Sequence, residues 1–430
     1  MLQEKDIPIQ VAIGNYDLGI CGLDWIEELL AKFPQSPVVK IADLEYDKAY
    51  VYLAASSCKT TCNIGEFTKT YDTLRIVTDY PNLAEFAALN LRLKRFSIFP
   101  VYGAIEAYPP EDADLVVLRG KNVRDIKDLN LVPLKELFPC SAFLIANRDS
   151  VKTKDISPII DCFRKGMESR SKPWLKMETG TKRYLNNKPG ISTKKTIRLA
   201  VPDGHQQQPA LEFLGESGIK FKDEIKSNTV NRRPALNIPW IDTKVIRPQD
   251  MPMQVANGNF DLAITGKDWL LDHLYRFPSS PVTELVTLGF GEVRIVAVVS
   301  HTLPVSKIED LKKLISQGKL TPLRVATEYT NIADKYLRDN HIGWYKIVPT
   351  WGATEAFLPE DADLLIENTQ TGKTLAMHNL VIIDTLFRST ACLIGNKKSL
   401  KSAAKKEKIS WIVDLFTKTA ENRKTKNENN

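Results

Sequence analysis

The sequence has 430 residues, of which 26% are charged and 43% hydrophobic, an ordinary composition for a protein of two to four domains. No apolar run reaches the roughly 18–20 residues that a membrane-spanning helix needs, and the first residues lack a secretory signal, so we expect a cytoplasmic protein. The net charge of +7 arises from two segments, 164–196 with ten basic and two acidic residues and 401–430 with eight and four, which argues against a nucleic-acid-binding face.

The chain consists of two copies of one module. The segment DIPIQVAIGNYDLGICGLDWIEELLAKFPQSPV, from Asp6, matches DMPMQVANGNFDLAITGKDWLLDHLYRFPSSPV, from Asp250, at an offset of 244 residues. Two further pairs of segments match in the same order, at offsets of 249 and 253 residues, beginning at Phe99 and Val348, and at Ile156 and Ile409. Because the order is kept and the offsets differ little, the pattern indicates a tandem duplication.

Composition suggests where the copies begin and end. The residues between them are rich in Lys, Asn and Gly without sustained periodicity, which is typical of a linker, and the polar end of the chain favours disorder. The second copy opens with a part, up to about Val245, that has no counterpart before Asp6, so the first copy is truncated or borrows its missing strands. We predict a first copy over 1–170, a linker over 171–195, a second copy over 196–420 and a disordered tail over 421–430.

Strand and helix patterns alternate along the second copy. The runs TIRLAV, FDLAITG, EVRIVAVVS, LRVATEY and DADLLIEN predict strands, and EVRIVAVVS suits a strand buried on both faces. Helices are predicted for QQPALEFLGESG, KDWLLDHLYRF, SKIEDLKKLISQG, NIADKYLRDN and TGKTLAMHN. This alternation predicts an α/β protein with mainly parallel sheets, whose ligands bind beyond the carboxyl ends of the strands.

The segment ENTQTGKTL, residues 367–375, follows one of these strands and opens a helix. It is not an ATP-type phosphate loop, because the pattern G-x-x-x-x-G-K-[ST] requires glycine where Glu367 stands. An acid at a strand end can accept hydrogen bonds from sugar hydroxyls, and Thr371, Gly372, Lys373 and Thr374 offer N–H groups, hydroxyls and an ammonium to one phosphate. The order suits a ribose 5-phosphate, while a structural acid beside a helix cap is the alternative.

Three other strand ends carry polar residues. They are DLAITGKDW with Asp261, Thr265, Gly266 and Asp268, LGFGEVRI with Gly289, Gly291 and Arg294, and ATEYTN with Thr327, Glu328 and Asn331. Each alone is more typical of turn formation than of catalysis.

The motifs RPQD, GNFDLAITGKDWL, LGFGEVRIV, RVATEY, WGATEAF and TGKTLAMHNL together resemble ATP phosphoribosyltransferase, the first enzyme of histidine biosynthesis, over about residues 196–400. The resemblance implies two α/β lobes of periplasmic-binding-protein type II with the site between them. It places lobe I at about 196–300 and 382–420 and lobe II at about 301–381. It also implies the family's short form, a homo-oligomer that commonly works with a partner related to histidyl-tRNA synthetase.

The resemblance further implies the reaction and its residues. Adenine N1 of ATP attacks the anomeric carbon of 5-phosphoribosyl pyrophosphate, and Mg²⁺ neutralises the leaving pyrophosphate without predicted protein ligands. The phosphoribosyl pyrophosphate loop, with Glu367 also catalytic, comprises Glu367, Asn368, Thr369, Gln370, Thr371, Gly372, Lys373, Thr374 and Leu375. The implied ATP-binding residues are Asp261, Thr265, Gly266, Asp268, Arg294, Thr327 and Glu328.

Some positions depart from the family pattern. The opening turn reads Asp203-Gly204-His205 where the family has Lys-Gly-Arg, and Glu367 stands where Asp is usual. Losing two cations disfavours the docking of anionic substrates. Two alternatives therefore stay open, a catalytically weakened regulatory pseudoenzyme and a two-lobed small-molecule binding protein.

The first copy keeps the apolar frame but not these polar residues. Leu118, Asn122, Val123 and Asp125 replace Glu367, Thr371, Gly372 and Thr374, and Tyr50, Glu45 and Asp47 replace Arg294, Gly289 and Gly291. We predict a first copy that folds without a site. Cys58 and Cys62 are closely spaced but lack further zinc ligands, which indicates incidental thiols.

Overall fold

The computed structural model describes residues 2–57, 73–168, 183–184, 195–222 and 229–428. The chain divides into two compact units. The N-unit comprises Gln3–Pro189 with Ile225–Arg232, and the C-unit comprises Met1–Leu2, Gly190–Glu224 and Arg233–Asn430. Cys58, Cys62 and most of the predicted linker lie outside the described residues. None of the described helices has the length and apolar character to cross a membrane.

The first part of the chain forms nine strands and six α-helices among its described residues. In chain order they are α1 Ile7–Ala12, β1 Leu18–Gly22, α2 Leu23–Lys32, β2 Val38–Asp43, β3 Ala49–Ser56, β4 Leu74–Thr78, α3 Pro81–Asn90, β5 Phe96–Pro100, β6 Leu115–Gly120, α4 Val123–Asp128, β7 Leu131–Cys140, β8 Ala142–Asn147, α5 Arg148–Thr153, α6 Ser157–Glu168 and β9 Arg183–Tyr184.

The second part continues with β10 Ile197–Pro202, α7 Gln207–Glu216, β11 Thr229–Val230, β12 Ile241–Ile246, α8 Met251–Ala256, β13 Leu262–Gly266, α9 Lys267–Arg276, β14 Val282–Thr287, β15 Val293–Ser300, α10 Ile308–Ser316, β16 Leu323–Thr327, α11 Thr330–Asp339, β17 Tyr345–Pro349, β18 Leu364–Thr369, α12 Lys373–Met377, β19 Leu380–Ser389, β20 Ala391–Asn396, α13 Lys397–Lys401 and α14 Lys406–Glu428. Strand β11 pairs in parallel with β9 and belongs to the N-unit.

The C-unit contains two five-stranded sheets, with strand orders β12-β10-β13-β20-β14 and β17-β16-β18-β15-β19. In the first sheet β10 is parallel to both neighbours, and in the second β16 is. Strands β20 and β15 are antiparallel to both of theirs, because the chain crosses between the sheets and enters each return strand in the opposite direction. The α/β class and the two lobes are confirmed, but the sheets are mixed rather than mainly parallel.

The crossing strands move the lobe boundaries. Strand β15 begins at Val293 and β19 ends at Ser389, and both belong to the second sheet. The structural limits of lobe II are therefore wider than the predicted 301–381. Strand β15 is buried on both faces as predicted, since Ile295 and Val299 pack into one hydrophobic cluster and Val296 and Val298 into another.

The core of the first sheet extends to the last helix. Phe416 of α14 packs edge-on against Phe213 of α7, with ring centroids 5.2 Å apart. The Arg423 guanidinium lies over Phe213 and contacts the Glu216 carboxylate at 2.5 Å. Residues 421–428 are therefore helical, contrary to the predicted disordered tail, because these contacts anchor a polar segment that sequence composition alone would leave unstructured.

The N-unit repeats this architecture with a shorter first sheet. Its second sheet has five strands in the order β5-β4-β6-β3-β7, but its first sheet has only β1-β8-β2 among the described residues. Counterparts of β10 and β12 are lacking from that described sheet, as predicted from the missing leading part. One consequence is that β1 is less buried than β13, with Ile20 of β1 37% exposed.

Candidate functional site

The turn between β18 and α12 in the C-unit has the features predicted for an anion pocket. Gly372 has φ 75°, a left-handed conformation that favours glycine, immediately before the helix. The Thr369 hydroxyl accepts the Gly372 N–H at 3.0 Å, and the Thr371 hydroxyl accepts the Lys373 N–H at 3.4 Å. No side chain within the described residues caps α12 from its N-cap position. Two N–H groups of this turn are thus accepted by neutral threonine hydroxyls, and within the described residues none is accepted by a carboxylate or an amide oxygen.

The matching turn of the N-unit is closed by its own side chains. Asn122 caps α4 by accepting the N–H groups of Arg124 and Asp125 at 2.8 and 3.2 Å. The Asp125 carboxylate in turn accepts the Lys121 N–H at 3.0 Å. Val123 takes the place of Gly372 and is the first residue of the helix. Because an amide oxygen and a carboxylate occupy these N–H groups, an anion would have to displace them to bind there.

The predicted loop residues take different positions. The side chains of Thr371, Lys373 and Thr374 are exposed, as are those of Asn368 and Gln370. Leu375, in contrast, is 4% exposed and packs in a hydrophobic cluster of the second sheet, so its side chain does not reach a ligand.

Glu367 is the acid at the end of β18. Its carboxyl is desolvated, and this burial, followed by repulsion from Glu328, raises its pKa to about 7. A hydrogen bond from the Asn368 N–H at 2.9 Å acts in the opposite direction. Near neutral pH the group can therefore both accept and donate hydrogen bonds.

Arg294 lies beside the same turn rather than at the β13 turn. It pairs in register with Thr369 across β15 and β18. A Cβ atom built on Gly372 would lie 4.0 Å from a guanidinium nitrogen of Arg294. The prediction that Arg294 binds ATP is therefore revised, since its positive charge faces the phosphoribosyl loop, where a guanidinium can bind a phosphate.

Asp268 connects the two sheets of the C-unit. Its carboxylate accepts hydrogen bonds from Tyr329 at 2.7 Å and Ser389 at 2.8 Å, and Trp269 stacks on Tyr329 with ring centroids 4.4 Å apart. Burial raises the pKa of Asp268, and these hydrogen bonds oppose the rise. The Asn368 amide donates to the Tyr329 hydroxyl at 3.0 Å and so joins the loop to this network.

The N-unit keeps the central pair of that network although it lacks the open turn. Tyr80 donates to Asp24 at 2.6 Å, and Trp25 packs on Tyr80 at 4.5 Å. At the position of Asn368 stands Arg119, which pairs with Asp24 at 3.7 Å and with Asp47 at 2.6 Å. Because the N-unit has this tyrosine–aspartate hydrogen bond without the Gly372-type turn, the main role of the bond is to connect the two sheets.

Asp261 does not lie with the other predicted residues. It precedes β13, whereas Gly266 ends it, so about 16 Å of extended strand separates them. Its fully buried carboxylate accepts hydrogen bonds from Ser399 at 2.6 Å and from Lys405 at 2.7 and 2.8 Å. Asp17 bonds a serine and a lysine in the same way in the N-unit. The prediction that Asp261 binds ATP is replaced by a structural role.

Two predicted threonines are occupied by the scaffold. Thr327 donates to the Ile366 carbonyl at 2.7 Å and accepts the Tyr329 N–H at 2.8 Å, and Thr78 of the N-unit does the same. Thr265 donates to the Pro248 carbonyl at 2.9 Å. These hydroxyls hold strand ends together, and each already donates its proton to a main-chain carbonyl.

Three residues near the ends of β10 and β12 are not among the site residues that we predict from the sequence. Gln206, Arg247 and Gln249 each carry a buried polar side-chain atom without a hydrogen-bond partner in the described part of the chain. A further guanidinium nitrogen of Arg247 lies 3.4 Å from the Asp203 carboxylate, so the acid of the altered opening turn is paired. The RPQD motif contains Arg247 and Gln249, and it is the part of the sequence that could have identified them.

Gly266 stands next to this group. A Cβ there would lie 2.1 Å from an Asp268 carboxylate oxygen and 3.3 Å from the Gln206 amide nitrogen, so no side chain fits. The end of β13 therefore presents main chain to any ligand. No group of three His, Cys, Asp or Glu side chains that could hold a metal ion occurs in the described residues.

Comparisons with known proteins identify the family. The sequence profile of the family HisG: ATP phosphoribosyltransferase matches residues 3–165 and 247–418, one segment in each copy. The ATP phosphoribosyltransferase of Chlorobaculum parvum is 32% identical over 230 residues, 52% of this chain and 72% of the relative. That of Chlorobium luteolum is 31% identical over 230 residues, again 52% of this chain and 72% of the relative.

Solved structures give weaker similarity. The ATP phosphoribosyl transferase (HisG:HisZ) complex from Thermotoga maritima matches 53% of this chain and 100% of that chain at 22% identity, with a TM-score of 0.43. The aliphatic sulphonate binding protein SsuA from Escherichia coli matches 55% and 76% at 11% identity, with a TM-score of 0.34. Because both TM-scores are below 0.5, the assignment rests on the sequence matches. The profile covers more than half of the chain, and the chain belongs to the ATP phosphoribosyltransferase family.

Proposed function

We propose that this protein transfers the 5-phosphoribosyl group from 5-phosphoribosyl pyrophosphate to N1 of ATP, and that the C-unit alone carries the site. The observation that carries the proposal is the difference between the two matching turns. In the Gly372 turn only neutral threonine hydroxyls accept the N–H groups and Arg294 lies beside it, whereas the Asn122 amide and the Asp125 carboxylate accept those of the N-unit turn. Family membership supplies the reaction.

The 5-phosphate is assigned to the Gly372 turn. Thr371, Lys373 and Thr374 are exposed there, and Arg294 adds a second positive charge. A phosphate monoester carries close to two negative charges at neutral pH, so two cations and main-chain N–H groups match it. Glu367, at the preceding strand end, is assigned to the ribose hydroxyls.

The adenine nucleotide is assigned to the first sheet of the C-unit. Gln206, Arg247 and Gln249 supply polar atoms that lack a partner in the described part of the chain, and Gly266 allows the main chain to approach the ligand. With both substrates held, adenine N1 forms a bond to the anomeric carbon as the bond to pyrophosphate breaks. The protein contributes mainly orientation and electrostatic stabilisation of the charged groups.

Mg²⁺ fits this site as an ion carried with the pyrophosphate. Glu328 lies near enough to Glu367 to raise its pKa, and such a pair of carboxylates suits a hard cation. Since no three-residue metal group occurs among the described residues, substrate phosphates would provide most of the ligands. When bound, Mg²⁺ would supply neutralisation of the leaving group. We propose that Glu328 and Glu367 are the residues that would contact it.

The experiment is a direct assay of phosphoribosyl-ATP formation from ATP, 5-phosphoribosyl pyrophosphate and Mg²⁺. At low 5-phosphoribosyl pyrophosphate, activity that falls roughly five- to thirtyfold in Gly372→Val and is kept in a variant of the N-unit turn, Val123→Ala, supports the proposal. Calorimetric titration that shows binding of both substrates without turnover supports the regulatory pseudoenzyme, which the acid at Asp203 favours. Absence of binding of both substrates contradicts both assignments.

A regulatory subunit and a homo-oligomer belong to the same proposal. They come from the resemblance to the short form of the family, and sedimentation of the purified chain with and without a histidyl-tRNA-synthetase-like protein tests both. An active chain that stays monomeric and gains nothing from the added protein would contradict them.

A further inference from the structure

The N-unit has a cavity of about 500 Å³ away from the closed Asn122 turn. It lies between helices α2 and α3 and the edge strand β7. Most of its wall is apolar, and the lining side chains are Leu23, Leu83, Phe86, Ala87, Leu91, Leu137, Phe138 and Pro139, with Glu27, Asn90 and Lys135 at its polar positions. A cavity of this size accommodates a small organic molecule.

The C-unit shows what normally fills this place in the fold. At the constant offset of 249 residues, Tyr336 corresponds to Ala87, and it is 8% exposed within the core of the second sheet. Its hydroxyl donates to the Asp384 carboxylate at 2.9 Å. The N-unit has therefore lost a phenol ring from an otherwise matching scaffold.

The N-unit also has the opposite charge at the position that contacts the Tyr336 hydroxyl in the C-unit. Lys135 corresponds to Asp384, so an ammonium stands where the C-unit has a carboxylate. Lys135 is exposed, and no ion pair or hydrogen bond of its side chain occurs within the described residues. The acid of the lining, Glu27, is paired with Lys40. The free charge at the cavity, as far as the described residues show it, is thus positive.

The rim has become more apolar as well. Leu23 and Phe86 occupy the positions of Lys267 and Lys335 in the C-unit. Phe86 is 58% exposed although it is a large hydrophobic residue. The absence of a ring would by itself give only a packing void. An apolar rim beside the Lys135 cation is in addition what a ligand with a hydrophobic body and an acidic end requires.

We propose that this cavity binds a small aromatic carboxylate, with the ring in the place of Tyr336 and the acid on Lys135. The site is independent of the phosphoribosyl site proposed in the C-unit. It gives the first copy a function of its own after loss of its anion pocket. An aromatic ring suits the space because the same scaffold packs one there, and a carboxylate suits Lys135 because opposite charges at a partly exposed position attract.

The test uses the full chain and phenylacetate as the probe, with saturation-transfer NMR as the readout. Benzylamine, which has the same ring and the opposite charge, is the matched control ligand. We expect saturable binding of phenylacetate and none of benzylamine. Added 5-phosphoribosyl pyrophosphate should leave the phenylacetate signal unchanged, because the two sites are separate.

Two variants locate the binding. Ala87→Tyr restores the missing ring and should abolish binding, and Lys135→Ala should weaken it about fivefold, as expected for an exposed ion pair. The double variant Ala87→Tyr/Lys135→Asp restores the C-unit pair, so it is the second test if the single tyrosine disturbs folding. Wild-type protein that shows no saturable signal, a filled variant that binds like wild type, or benzylamine binding as tightly as phenylacetate would each overturn the proposal.

Discussion

The strongest test of the candidate site is the replacement Gly372→Val, which copies the N-unit residue Val123. Gly372 has φ 75°, and a Cβ there would have its nearest neighbours at 4.0 Å, so steric overlap is not the problem. The cost is conformational, about 1–2 kcal/mol for an L-residue in the left-handed region. If the free turn relaxes and valine takes the left-handed conformation only when the ligand is bound, this cost lowers the affinity for 5-phosphoribosyl pyrophosphate by roughly five- to thirtyfold.

Gly318→Val is the matched control. Gly318 follows α10 with φ 72°, and a Cβ there would meet no atom of the described residues within 4 Å, so this variant bears the same strain outside the site. Gly318→Val should lower the melting temperature by a few degrees, roughly 2–4 °C per kcal/mol for a unit of this size, whereas the free turn of Gly372→Val can relax, so this variant should melt closer to wild type. Calorimetric titration with 5-phosphoribosyl pyrophosphate and Mg²⁺ should show weaker binding only for Gly372→Val. Equal affinities in the two variants would refute the assignment.

Three further outcomes are expected. Glu367→Gln should raise the melting temperature at pH 8 by several degrees and barely change it at pH 4.5, because a carboxyl whose pKa is raised to about 7 in the fold destabilises the protein increasingly as pH rises from about 4.5 to 7. Thermal melts across pH test this, and a constant difference would contradict it. Tyr329→Phe and Tyr80→Phe should each cost about 1.5–3 kcal/mol of unfolding free energy in denaturant titrations, since each removes a hydrogen bond to a buried carboxylate. Only Tyr329→Phe should change turnover. An effect of Tyr80→Phe on turnover would argue against an inactive N-unit. Asp261→Asn should cost about 3–5 kcal/mol in stability by unpairing Lys405, with an unchanged KM for ATP in the folded protein, and a raised KM would restore Asp261 to the nucleotide site.

The polar residues show which parts of the candidate site can be predicted from spacing along the sequence. The Glu367 acid and the Gly372 turn were predicted from spacing, because a strand end, a glycine and a helix start are consecutive in the chain. The resemblance to the family implies that Thr327 and Asp261 bind ATP, yet their side chains form hydrogen bonds with the Ile366 carbonyl and with Lys405. Whether a polar side chain faces a ligand or the scaffold depends on groups far away in sequence, which spacing does not record.

Glycine positions show a similar division. Gly289 and Gly291 have φ 72° and 64°, as their residue type suggests. Their N-unit counterparts Glu45 and Asp47 keep φ 55° and 53° although neither is glycine. Both copies therefore share the left-handed backbone at these two positions, although the residue type predicts it only for the glycines and, more weakly, for Asp47.

The amino-acid sequence by itself determined the duplication, the α/β class, the strand and helix positions of the second copy and the loss of the anion turn from the first. All of these depend on residues that are near one another along the chain or repeated at a fixed offset. Only the tertiary structure decided that Arg294 lies beside the Gly372 turn, that Gln206 and Arg247 lie near the ends of neighbouring strands, and that Ala87 and Lys135 line one cavity. Each of these is a contact between strands or helices whose order in the sheet differs from their order in the sequence, so burial and charge at these points arise only when the chain has folded.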